Sequence, residues 1–414
     1  MNGIDKQLRD LLEAAAGEPP HRISVDAVRR RVIRRRLIEG IAGTAAVALV
    51  AVAIPAAVGA LGHGSAASRT EAPHGRGSVV YVVNGKAGTV TPIATATNKP
   101  GKPIRIAADG PIAITPDGKT AYVTSASTDS VTPVSIATGK PGRPIKVGSF
   151  PEKMAITPDG KTLYVANINS DNVTPVSIAT GTAGQPIKVG IRPRGIAITP
   201  DGRTAYVINQ GSDTVTPIAT ATNTPGKPIK VGDGPLDIAM APDGKTVYTI
   251  NPGYASNSES VTPISTATDT PGPPIKVGAF PFAIAITPDS KNVYVASVSA
   301  GTVTPIAAAT DTSGPPIPVG RQPQTVAITP DGRTAYVVSY ATGTVTPIAI
   351  ATNTPEKPIK VGAGAMAIAI TPDGKTAYVA CYAAGTVTPI AIATNTPGRP
   401  IHVGKGAFTL AITR

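Results

Sequence analysis

Over most of this chain, apolar and polar residues alternate in short runs closed by Gly, Pro, Asn and Asp. One unit reads "KMAIT" (153–157), a "PDGK" turn, "LYVAN" (163–167), "NVTPVSI" (172–178) and "QPIKVG" (185–190). Alternating or β-branched apolar runs bounded by turn residues predict strands, four in each unit. No window after residue 78 carries a helical period. Tyr recurs at 81, 122, 164, 206, 248, 294, 336 and 378, in steps of 41, 42, 42, 42, 46, 42 and 42. Four strands in about 42 residues is the size of a β-propeller blade.

Each of the four segments occurs eight times. The repeats open on a second segment, "VVYVVN" (79–84), and close on a first segment, "TLAIT" (409–413). The expected fold is therefore all-β: an eight-bladed β-propeller with four-stranded blades. N-terminal strands pair with the C-terminal strand to close the ring and hide two edges.

The first 77 residues follow another pattern. "DKQLRDLLEAAAG" reads as a short helix, and "VRRRVIRRRL" places six Arg between Val28 and Leu37. From Gly40 to Gly62 there are 23 residues without a charge, enough to cross a bilayer as a helix. The Arg cluster before it predicts a cytoplasmic N-terminus by the positive-inside rule. The expected domains are a cytoplasmic segment 1–36, a transmembrane helix 37–62 acting as signal anchor, a flexible linker 63–77 and the propeller 78–414. "Val58-Gly59-Ala60" also fits a cleavage site, which would make the protein secreted. Either way the propeller is expected outside the cytoplasm.

Composition narrows the chemistry. Gly and Pro number 43 each and Trp is absent, so the core must come from small and β-branched residues. The net charge of +13 favours acidic partners, but only in general terms because Lys and Arg are spread through the repeats. Cys381 is the sole cysteine, which excludes an intrachain disulfide. Residues 78–414 hold one His, His402, which excludes a multi-His metal centre or a His-based triad there. No cofactor is expected. No basic patch with interleaved aromatics points to nucleic acid.

Asp117 recurs as Asp159, Asp201, Asp243, Asp289, Asp331 and Asp373, which reads as a turn residue rather than a set of active sites. Function belongs where the repeats differ, in the loops joining each outer strand to the next inner one. These bring Arg192, Arg194, Asp233, Asp237, Phe280, Phe282 and Arg321 to one mouth, and these seven are the candidate ligand-binding residues. Glu152, Lys153, Gln322, Gln324, Met366, Lys405 and Phe408 lie in the same loops. The loops between second and third strands are expected on the same face, with Asp129, Asp171, Asp213, Tyr254 and Glu259; the longest is "NPGYASNSES" (251–260). A carboxylate-held calcium near Asp233 and Asp237 remains an open alternative.

"TPDGKTAYV", "TPDGKTLYVAN" and "TPDGRTAYVIN", followed by "VTPI" and "PIKVG", resemble the YVTN-type β-propeller repeat across residues 78–414. That family includes archaeal surface-layer proteins and secreted bacterial propellers, and lactonases are structural relatives. The resemblance implies a non-catalytic binding or scaffold propeller of the cell envelope. Its partner would be an envelope protein, a peptide or a cell-wall polymer. A lactonase-like hydrolase with a carboxylate or metal site in the channel is the alternative, and a membrane-tethered sensor is a second. One departure is "VTPI" where the family has "VSVID"; this Pro predicts a lost ladder bond or a bulge in each blade.

Overall fold

The computed structural model describes residues 78–256 and 258–413. The expected cytoplasmic segment, transmembrane helix and linker lie outside the described residues. Among the described residues no helix is long and apolar enough to cross a membrane.

Eight antiparallel sheets stand around one ring, with the "IAIT" strand innermost in each. In blade three the order outward is Pro151–Ile156, Thr162–Asn167, Asn172–Ser177 and then the outer segment. The ring closes in blade one, where Val79–Asn84 pairs with Ala407–Ile412 and Val82 lies opposite Leu410. Blade two departs most, with an inner strand of three residues, Ile112–Ile114.

The outer strand differs from the expectation of one continuous fourth strand. In seven blades it is two short pieces, such as Thr182–Ala183 and Ile187–Lys188 in blade three. The repeated Pro gives the reason. Second and third strands pair without any register shift, with Tyr164 opposite Pro175, so the Pro makes no bulge. The Pro175 carbonyl instead accepts from Gly184 N–H at 2.7 Å on the outer side. Carbonyl and missing N–H of one strand residue point the same way, so the absent donor faces the outer segment. There the ladder breaks, and a Gly packs on the Pro ring. An added Cβ at Gly101, Gly142, Gly184, Gly226, Gly272, Gly314 or Gly398 would stand 2.9–3.2 Å from a Pro Cγ. Blade seven puts Glu356 at that position.

The core is divided into slabs between neighbouring blades. Tyr164, Ala166 and Val173 of blade three pack on Ala205, Val207 and Ile218 of blade four, while Leu163, Val165 and Val176 face back to Tyr122 and Val131 of blade two. This is the period-two alternation of the sequence read as two buried faces. Each repeated Tyr is buried, and most hydroxyls donate to the neighbouring blade. Tyr164, Tyr294, Tyr336 and Tyr378 reach Asn223, Asn353, Asn395 and Asn98 at 2.6 Å, the last across the closure. Burial pushes the Tyr164, Tyr294 and Tyr336 phenols up to about 12.

Candidate functional site

The turns joining first to second strands define one face, and they are structural. In blade three Thr157 Oγ1 donates to Asp159 Oδ1 at 2.6 Å, and Lys161 N–H donates to the same oxygen at 3.0 Å. The same pair of bonds recurs at Asp117, Asp201, Asp289, Asp331 and Asp373. The Thr hydroxyl first, then the backbone N–H, holds these carboxyls below the usual range. Blade five has Ala241 in place of the Thr, and Asp243 keeps only the bond from Lys245 N–H.

The opposite face carries both other loop sets, as expected, and hydrogen bonds lock them together. Ile168 N–H donates to Phe150 O, Gln210 N–H to Arg192 O, Val298 N–H to Phe280 O and Tyr340 N–H to Gln322 O. Asp129, Asp171 and Asp213 accept from Phe150, Arg192 and Gly234 N–H at 2.8 Å each. These carboxylates build the loops.

Two tiers of side chains then mark the mouth. The upper tier stands, in every blade but the second, at the turn residue that leads into the inner strand. That residue has positive φ: Gly234, Gly364 and Gly406 at 65°, 69° and 78°, but Phe150, Arg192, Phe280 and Gln322 at 55° to 58°. A side chain in the left-handed region costs roughly 1–2 kcal/mol, so four blades carry strain that three avoid. In blade five the longest loop fills the space instead: Tyr254 lies where a Cβ on Gly234 would be 2.3 Å from its ring. Tyr254 meets Phe280 edge to face at 5.9 Å, and Phe280 stacks on Phe282 at 6.5 Å. Phe150, Arg192, Tyr254, Phe280 and Gln322 thus form a crescent over blades three to seven.

The lower tier comes from β-bulges at the start of the inner strands. In blade four Pro193 lies opposite Asn209 and Gly195 opposite Ile208, so Arg194 is the extra residue. The same irregularity makes Phe282, Gln324, Met366 and Phe408 extra in blades six, seven, eight and one. A bulge re-aims a side chain, a device common beside functional sites. Arg194 Nε donates to Glu152 Oε1 at 2.8 Å. Lys153 Nζ donates to Asp237 Oδ1 at 2.8 Å, joining blades three and five with 3% and 7% of the side chains exposed. Desolvation lowers the Arg194 guanidinium, but Glu152 and Tyr254 outweigh it and the net shift is upward. Burial raises the Tyr254 phenol, against the pull of Arg194.

Of the seven candidates, Arg194 and Asp237 fall in this charged tier, Phe280 and Phe282 stack together though buried, and Arg192 and Arg321 are exposed on the loops. Asp233 instead anchors the long loop, accepting from Ala255 and Ser256 N–H at 2.5 and 2.8 Å. With Asp233 so engaged and Asp237 paired to Lys153, the two do not converge on a calcium site. Among the described residues no three His, Cys, Asp or Glu stand together as metal ligands. The residues not singled out are Phe150 and Ile191, exposed at 41% and 53%. The signal for Phe150 was present in the aligned loops, where the residue before the inner strand is Gly in some repeats and bulky in others; Ile191 stands one position earlier.

A family described as lactonase, seven-bladed β-propeller, matches residues 77–189. No curated protein matches the chain. Hydrazine synthase of Kuenenia stuttgartiensis is 28% identical with TM-score 0.58, over 68% of this chain and 94% of that one. Dihydro-heme d1 dehydrogenase NirN, in complex with DHE, aligns at 15% identity and TM-score 0.69 over 82% of this chain and 76% of that one. Apo AztD from Citrobacter koseri aligns at 11% and TM-score 0.63, over 81% and 97%. The last two likenesses concern the fold alone. The chain is an eight-bladed β-propeller, similar over its first blades to a family described with seven.

Proposed function

We propose that this protein is a non-catalytic, extracytoplasmic binding propeller of the cell envelope, with its ligand held at the mouth by the crescent over blades three to seven. The observation that carries this reading is the strain: Phe150, Arg192, Phe280 and Gln322 occupy a left-handed position that the same loop fills with Gly elsewhere. Such strain clusters at ligand clamps. Aromatic faces beside Arg192 and Arg321 suit an extended ligand with apolar and anionic groups, such as an acidic peptide or an acidic wall-polymer chain. The buried carboxylates Glu152 and Asp237 are each held by a cation, which suits a rigid floor better than proton transfer. The resemblance to YVTN-type repeats agrees with a binding role.

The test compares the full chain with the Arg192→Gly, Gln322→Gly double variant for binding to isolated cell-wall sacculi and to an acidic peptide library. Loss of binding in a folded variant supports the reading; unchanged binding to every ligand of the parent sinks it. The second reading, a lactone hydrolase, has the family match at 77–189 in its favour. Turnover of a lactone panel that disappears on Asp237→Asn would replace the binding reading.

A further inference from the structure

Exposed acidic groups are divided between the two faces in an all-or-none way. On the turn face the repeated Asp is exposed in all seven copies, beside a Lys or Arg. On the mouth face no carboxylate among the described residues is exposed. Glu152 and Asp237 are buried against cations. Asp109, Asp129, Asp171, Asp213 and Asp233 are half-buried and accept backbone N–H bonds. Glu259 is half-buried.

Apart from Lys153 and Arg194, which hold those buried acids, the cations of that face are open to solvent. Arg105, Lys146, Lys188, Lys230, Lys276 and Lys360 occupy one register position, each opposite the first residue of the third strand in its blade. All six are exposed. Equivalent positions in successive blades lie at one height, so these six form a planar girdle at the mouth-side rim. Lys146 Nζ donates to Thr128 O at 2.8 Å and Lys230 Nζ lies 3.7 Å from Asp213, which sets the girdle level with the loops. Lys86, Arg192, Arg321 and Lys405 add exposed charge inside it. Among the described residues the exposed large apolar side chains, Phe150 and Ile191, are on this same face, in the loops entering blades three and four.

We propose that the mouth face is a peripheral docking surface for an anionic lipid bilayer. Phe150 and Ile191 enter the headgroup layer and the girdle rests on acidic headgroups. Stable peripheral binding takes two signals, and a basic surface with an apolar insertion supplies both. A linear polyanion would touch only part of a planar ring and would leave the apolar pair without a partner. The proposal shares Phe150 and Arg192 with the crescent, but its girdle and Ile191 lie outside it, so quenching at the Ile191→Trp reporter tests lipid docking separately from the mouth's ligand.

The chain has no Trp, so one substitution creates a unique fluorophore. The full-length Phe150→Trp and Ile191→Trp variants are mixed with vesicles of phosphatidylglycerol and brominated phosphatidylcholine, and with brominated phosphatidylcholine alone. The reporters read which face meets lipid, whatever the N-terminal residues do. The expected result is blue-shifted, quenched emission on anionic vesicles only, reversed by high salt. Ala221→Trp, on the turn-face side, stays unquenched. Adding Lys188→Glu and Lys230→Glu weakens the quenching titration by roughly thirtyfold or more. The proposal is overturned by unquenched emission at both reporters, by equal quenching on neutral vesicles, or by equal quenching of the Ala221→Trp control. A shift with polyphosphate but not with anionic vesicles also overturns it, in favour of a soluble polyanion.

Discussion

On the turn face, Thr157, Asp159 and Gly160 are reproduced with nearly the same bonds from blade to blade, whereas on the mouth face seven of the eight repeats present Phe150, Arg192, Gly234, Phe280, Gln322, Gly364 and Gly406 at one left-handed turn position. Both positions ask for a left-handed backbone. On the turn face Gly supplies it, and the lone exception, Ser290 at φ 61°, takes a bond from Asp243 N–H. On the mouth face four blades accept strain with bulky side chains. Repetition alone would keep Gly in both places, so the contrast separates the face that holds the ring together from the face where the repeats diverge, which is the proposed binding face.

The largest effect should come from the mouth's ion pair. Asp237→Ala leaves the Lys153 ammonium buried without a counter-ion, and such a break costs about 3–5 kcal/mol. Urea unfolding should register that loss, and the Lys153→Met, Asp237→Leu double variant should recover most of it. Equal stability of single and double variants would mean the pair is solvated rather than buried.

A smaller change of opposite sign is expected one tier up. Gln322→Gly or Arg192→Gly relieves a left-handed side chain and should stabilise the fold by about 0.5–1 kcal/mol while weakening ligand binding. The same substitution logic predicts loss on the other face. Asp159→Ala removes the bonds from Thr157 and Lys161 and should cost about 1 kcal/mol with no effect on binding.

The smallest effect is in pH. The carboxyls of Asp117, Asp159, Asp201, Asp289, Asp331 and Asp373 are held low in the folded state by their Thr hydroxyl bonds. Their contribution is complete above the ordinary carboxylate range and is lost as pH falls through the lowered values. Solvent exposure keeps each share small. Side-chain NMR titration should show six low carboxyls, and Thr371→Ala should return Asp373 toward the usual value.

Much of the ring was legible in the residues because period-two alternation and a 42-residue spacing leave few ways to bury the apolar faces. The split outer strand was half legible. The Pro announced a missing donor, but which side it faced depended on the pairing of Tyr164 with Pro175 and Gly184. The site was legible as loops and opaque as contacts. Lys153 and Asp237 are 84 positions apart, in blades three and five, and their aligned position in blade four is Gly195. Asp233 sits four residues from Asp237 in the sequence, yet one carboxylate ties down a loop and the other holds a buried cation.

By itself, the sequence determined the blades, their number and the closure, since local alternation and turn chemistry act over a few residues and repeat. The tertiary structure alone decided which acids face solvent, which side chains bear strain and which cations share one plane. Those properties depend on where the closed ring brings distant residues, and on the removal of water from the groups that it covers.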